Sequence, residues 1–86
     1  MQRQKKQRRV FMFETLKSFL VEELHVNAAD VTMEAELSGD LGINSLELAD
    51  LVYVCEEKFN LEIADEDLHN FTTVGDVVRY LEENAK

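Results

Sequence analysis

Ser45 is the residue of this sequence best placed to do chemistry. It lies in the segment Asp40-Leu-Gly-Ile-Asn-Ser-Leu-Glu-Leu48, where a glycine-containing loop runs into a stretch of helical period. A hydroxyl at a helix start is exposed and held by a rigid element. The free amides and dipole of a helix N-terminus also stabilise an anionic phosphate, so a phosphodiester on this hydroxyl would be well placed. Nucleophilic catalysis by Ser45 fits less well, because it needs a general base in hydrogen-bond reach, itself oriented by a third group. The histidines, His25 and His69, stand in no catalytic context, and there is no G-x-S-x-G elbow. Taken alone, the spacing is also satisfied by a serine that merely opens a capped helix.

The other candidate chemistry is thin. Cys55 is the only cysteine, which excludes an internal disulfide and a cysteine-cluster metal site. Its place on an apolar helical stripe reads as a small buried hydrophobe. The acidic groups Glu56/Glu57 and Asp65/Glu66/Asp67 lack EF-hand spacing, so no dedicated metal site is expected.

The elements that must hold Ser45 are helical. With no proline and only three glycines in 86 residues, the composition favours helices over a turn-rich β fold. Phe13, Leu16, Leu20 and Leu24, joined by Val21, predict a first helix from about Phe13 to His25. A long connection from Val26 to Asn44 follows, anchored by Val31, Met33, Leu37, Leu41 and Ile43. Helical turns are expected at Asn27–Asp30 and near Leu37–Leu41, and Gly42 is expected to take a backbone conformation that side chains resist. The second helix is predicted from Ser45 to Phe59, with Asn44 as N-cap and Glu47 completing a capping box. Leu48, Leu51, Val52, Cys55 and Phe59 form its core stripe, and Leu46, Ala49 and Tyr53 a neighbouring, more exposed one. Leu61 and Ile63 are expected to be buried in the next connection. A short third helix is predicted over Asp65–Asn70. Thr73, with Asp76 three residues on, caps a fourth helix whose apolar face is Val74, Val77, Val78 and Leu81. The fold class is all-α, a small four-helix bundle with three longer helices, one short helix and a long loop between the first two.

Charge is lopsided. Eighteen acids face nine bases, and five of the bases (Arg3, Lys5, Lys6, Arg8, Arg9) fall in the first nine residues. From Val10 onward 18 acids face four bases, which leaves that part at −14. Such a body repels phosphate and anionic lipid and attracts basic partners, so neither nucleic acid nor membrane is an expected partner. Residues 1–11 read as a basic, disordered extension, with Met12 as an alternative start and residues 12–86 as the domain; a nucleic-acid or targeting arm is the other reading. No secretory signal or membrane-spanning run is visible, which points to the cytoplasm, and a monomer is expected.

Gly42-Ile-Asn-Ser-Leu46 is similar to the G-x-D-S-L modification motif of acyl carrier proteins. The resemblance continues through Asp40-Leu-Gly, Leu46-Glu-Leu-Ala-Asp-Leu51, Glu56-Glu-Lys-Phe59, Glu62-Ile, Asp65-Glu and Thr72-Thr-Val-Gly-Asp76, and spans roughly Phe13 to Glu83. It implies that Ser45 receives 4′-phosphopantetheine from coenzyme A through a separate phosphopantetheinyl transferase. The arm would then carry acyl groups as thioesters, in fatty acid or lipid biosynthesis, to basic-surfaced enzymes such as ketoacyl synthases, reductases and acyltransferases. The chain would be a carrier, not an enzyme. The second helix would be the recognition element, with Asp40, Leu46, Glu47, Asp50, Tyr53, Glu56 and Glu57 as partner-binding residues. Leu51, Val52, Cys55, Ile63, Leu68 and Phe71 are candidates to line a cavity for the acyl chain, or simply core. Two departures stand out: Asn44 occupies the usual aspartate position before the serine, and Ala64 follows Ile63 where the family often has proline. A specialised carrier of polyketide, peptide or aminoacyl cargo, or an unmodified acidic docking adaptor, are the alternatives.

Overall fold

The first helix, α1, spans Gln2–Glu22 in a computed structural model that describes residues 2–84, with side chains from Arg8 onward. It buries Met12, Leu16 and Leu20, one residue per turn, and packs Phe13, Phe19 and Val21 against the same core, as does Leu24 just beyond its end. The apolar period explains the helix only from Met12. Residues 2–11, expected as an extension, nonetheless continue it as helix. The helix also stops at Glu22, about a turn before the predicted end at His25: His25 adopts φ +61° and the Val26 N–H reaches back to the Leu20 carbonyl at 3.0 Å.

A one-turn 3-10 helix, η1, follows at Ala28–Asp30, with the Asn27 side chain accepting from the Ala29 N–H. The rest of the long connection is pinned rather than loose. Val31, Ala35, Leu37 and Ile43 are buried, and Met33 and Leu41 pack against the core. The turn expected near Leu37–Leu41 is non-helical: the Asp40 and Leu41 amides both bond to the Glu36 carbonyl, and Gly42 sits at φ +68°. At that φ a side chain would be strained.

Helix α2 (Ser45–Phe59) buries Leu51, Cys55 and Phe59. It stops at Asn60, whose left-handed backbone (φ +54°) returns its N–H to the Glu56 carbonyl, a conformation Asn tolerates better than most residues. Leu61 and Ile63 are buried in the link to η2, a 3-10 helix at Asp65–Asn70 with no side-chain cap at Ala64. Helix α3 (Val74–Asn84) buries Val74, Val77, Val78 and Leu81. Its start is a reciprocal cap: Asp76 N–H donates to Thr73 Oγ1 at 3.1 Å, and Asp76 Oδ2 accepts from the Thr72 and Thr73 amides at 3.0 Å. Burial works against the Asp76 charge, but those two amides and the Arg79 guanidinium outweigh it and hold the carboxyl below its usual range.

The ends fix the topology. Phe11 of α1 meets Phe59 of α2 edge-on, and Arg9 of α1 pairs with Glu82 of α3, so α1 runs antiparallel to both. The long connection is stitched to the start of α3 by an isolated antiparallel bridge between Glu36 and Thr73. Leu37 N–H donates to Thr72 C=O (2.9 Å), Val74 N–H to Ala35 C=O (3.0 Å) and Gly75 N–H to Met33 C=O (2.8 Å). The result is the expected all-α bundle of three longer helices and a short one.

Candidate functional site at the start of helix α2

Ser45 is the first residue of α2 and is exposed. Its position is set by a complete capping box. Asn44 Oδ1 accepts the Glu47 N–H at 2.8 Å, and Glu47 Oε1 accepts the Asn44 N–H at 3.0 Å. The Leu48 N–H bonds to the Asn44 carbonyl, which leaves the Ser45 and Leu46 amides as the free donors of the first turn. Two outward amides beside an exposed hydroxyl fit a phosphate ester on that hydroxyl. Asn44 caps without adding a negative charge next to it.

No side chain among the described residues bonds to the Ser45 hydroxyl, and His25 and His69 are exposed with no bond to it. Ser45 is thus a presented hydroxyl without a base. It borders a groove of about 410 Å³ that also takes in Ser38, Gly39, Ile43, Leu48 and Phe71. Leu37, Ile43, Leu48 and Phe71 give it apolar lining, and Glu36, Ser38, Asn44 and Thr72 polar lining. The sequence offered no sign of this groove, because the Glu36–Thr73 bridge that brings its walls together joins residues 37 apart.

Leu46 (79% exposed), Ala49 and Tyr53 (63% exposed) share the outer surface of α2, as their spacing predicts. The acids around them differ in a way the sequence hides. Asp40 Oδ2 accepts the Glu36 N–H at 2.8 Å, Glu47 is half of the capping box, and Glu56 Oε2 accepts the Ile63 N–H at 2.7 Å. These three hold the backbone in place. The Asp50 and Glu57 side chains are exposed and make no side-chain hydrogen bond among the described residues.

Of the residues proposed to line a cavity, Leu51, Cys55, Ile63 and Phe71 are buried, and Val52 and Leu68 are packed against them in the core. Burial, with Glu56 nearby, pushes the Cys55 thiol up to about 12, so it behaves as a hydrophobe. η2 is fastened by one side-chain bond, Tyr80 Oη to Asp67 Oδ2 at 2.9 Å, while the Tyr80 ring rests edge-on against Phe71 at 5.3 Å between centroids. Among the described residues no group of three or more His, Cys, Asp or Glu side chains is placed to hold a metal ion, and no helix is long and apolar enough to cross a membrane.

This arrangement has known counterparts. Residues 14–81 match the family model described as the phosphopantetheine attachment site. The chain is 48% identical over 73 residues to an acyl carrier protein of Helicobacter pylori (strain J99), covering 85% of this chain and 94% of that one. It is 48% identical to the acyl carrier protein of Wolinella succinogenes (85% and 96% covered) and 43% identical to one from Clostridium perfringens (87% and 99%). A crystal structure of an acyl carrier protein from Thermotoga maritima superposes with a TM-score of 0.78 at 24% identity over 88% of each chain, which shows the shared fold. With its matched span enclosing the whole of α2 and Ser45 at its capped start, the chain belongs to the acyl carrier protein family, the bearers of the phosphopantetheine attachment site.

Proposed function

We propose that Ser45 is the residue that carries the 4′-phosphopantetheine arm, and that the arm bears acyl groups as thioesters for fatty acid or related lipid biosynthesis in the cytoplasm. The observation that carries this reading is the exposed Ser45 hydroxyl beside two free helix amides, inside the span matched by the attachment-site family. The arm's terminal thiol supplies the thioester chemistry when it is present. The chain's own residues would present it: Asn44 and Glu47 fix the first turn of α2, the Ser45 and Leu46 amides would be available to the phosphate, and the groove along Leu48 and Phe71 would offer the arm a resting surface. No base among the described residues is placed to activate Ser45, which accords with loading by a separate phosphopantetheinyl transferase using coenzyme A and with a role as carrier rather than enzyme.

The enzymes that work on the cargo are read here as docking on α2 through basic patches. Asp50 and Glu57 have carboxylates free for such bases, and Leu46 and Tyr53 supply apolar contacts between them. Asp40, Glu47 and Glu56 add charge from fixed positions. Attraction of this kind mainly raises the rate of encounter and weakens with salt.

The test is intact mass after incubation with coenzyme A, magnesium and a broad-specificity phosphopantetheinyl transferase. The expected gain is roughly 340 Da, the mass of the phosphate-linked arm. No gain by the wild-type chain, or the same gain by Ser45→Ala, would overturn the proposal.

A further inference from the structure

The family match begins at residue 14, yet residues just before it are built into the bundle. Arg9 Nε and Nη2 donate to Glu82 Oε2 and Oε1, both at 3.0 Å, a bidentate pair that joins positions 73 residues apart. Two residues on, Phe11 packs edge-on against Phe59, with centroids 5.9 Å apart and planes at 88°. Both contacts lie at the pole of the bundle remote from Ser45, because α2 starts at Ser45 and ends at Phe59. At about 1.5 Å per residue these ends are roughly 21 Å apart.

By sequence the basic stretch suits an arm reaching for an external anion. Arg9 instead turns its guanidinium onto the chain's own α3. We propose that Arg9 to Phe11 form an intramolecular strap that closes the far pole of the bundle and, through α3, restrains η2. Glu82 lies two residues after Tyr80. Tyr80 is what fastens η2, by its hydroxyl on Asp67 and its ring on Phe71. η2 fully buries none of its own residues and has no side-chain cap, so beyond the packing of Leu68 its side-chain hold comes from α3. Fixing the last turn of α3 therefore fixes Tyr80, and Phe71 passes the restraint to the groove beside Ser45. The carboxylate of Glu82 is only partly exposed and the pair is two-pronged, a geometry that loses less to side-chain freedom than a single-contact surface pair.

The experiment uses the full chain with Arg9→Gln, Glu82→Gln and the double variant, plus the charge swap Arg9→Glu/Glu82→Arg. Thermal unfolding is measured at low and high salt, and native-state hydrogen exchange is followed at Asp67 and Phe71, whose amides bond to Ala64 and Leu68. Each single variant is expected to lower the midpoint by about 2–5 °C, with the double variant no worse than either single and the swap restoring most of the loss. Exchange at Asp67 and Phe71 should rise about two- to threefold in the single variants, while that at Leu48 stays constant. At 1 M salt the difference from wild type should largely vanish. Additive losses, no rescue by the swap, or unchanged exchange at Asp67 and Phe71 would overturn the strap. Phe11→Ala gives a charge-independent check: the same two amides should quicken, and their failure to do so counts against it equally. These readouts do not involve loading of Ser45, so they stand or fall apart from the proposed function.

Discussion

Replacing Asn44 by alanine tests the geometry that presents Ser45. The substitution removes Asn44 Oδ1, which accepts the Glu47 N–H at 2.8 Å, but leaves the Glu47 carboxylate bonded to the residue-44 amide at 3.0 Å. Half of the capping box is lost. Because the site is exposed, water can take the freed amide, which argues for the middle of the measured range of cap losses, about 1 kcal/mol. At about 2.1 cal/mol/K per residue, unfolding entropy for 86 residues is roughly 0.18 kcal/mol/K, so that loss lowers Tm by about 5–6 °C. Asn44→Asp keeps an acceptor and adds a charge that favours the helix dipole by about 0.3–1 kcal/mol, opposed by Glu47 one turn away. It should remain within about 0.5 kcal/mol of wild type. Chemical and thermal denaturation give these differences directly. A time course of intact mass in the loading reaction reads the functional side: Asn44→Ala should load more slowly, because the first turn of α2 frays around Ser45. If Asn44→Ala matched wild type in both assays, or if Asn44→Asp were as damaging as Asn44→Ala, the capping box would not be what holds Ser45 in place.

Other consequences can be checked separately. A Cβ at Gly75 would lie 2.9 Å from the Met33 carbonyl oxygen, so Gly75→Ala should overpack the joint between the long connection and α3; after the helix-propensity gain of alanine the net loss should be about 1 kcal/mol by equilibrium denaturation. The Asp76 carboxyl is held below its usual value when folded, so the stability it contributes is complete above about pH 4 and is lost as pH falls through the lowered folded value; Asp76→Asn should flatten that part of the stability–pH curve. Cys55 is buried with its thiol pushed up to about 12, so alkylation at pH 8.5 should proceed only through opening of the bundle and should accelerate in step with denaturant. Charge reversal at Asp50 or Glu57 should slow association with a basic-surfaced acyl-processing enzyme, with the difference shrinking at high salt, while Tm changes little.

Much of the bundle was legible because local chemistry dictated it. Asn44 with Glu47 and Thr73 with Asp76 are three residues apart, and a cap needs nothing else; both formed as the spacing required. The stripes through Leu51, Cys55 and Phe59, and through Val74, Val77, Val78 and Leu81, follow from helical period alone. What was not legible depends on distant partners. Ala35 gives no apolar signal of its own, yet it is buried because its carbonyl is drawn to Val74. Residues 2–11 have no apolar period, so nothing in their spacing announced helix; the partners that engage Arg9 and Phe11 are on α3 and α2. The acids Asp40, Glu47 and Glu56 look like Asp50 and Glu57 in the sequence. Only the fold separates those that bind backbone amides from those left to solvent.

The bridge between Glu36 and Thr73 has a consequence for how this domain tolerates change. Its bonds, from Leu37 to Thr72 and from Val74 to Ala35, and the neighbouring one from Gly75 to Met33 use only peptide groups. The exposed side chains at Glu36, Ser38 and Thr72 therefore border the groove without holding its walls together. They form a rewritable edge: a library randomised at those three positions can alter what touches an arm on Ser45 while the scaffold keeps its shape. Substitution and selection can thus explore the surroundings of the attachment point separately from the stability of the bundle.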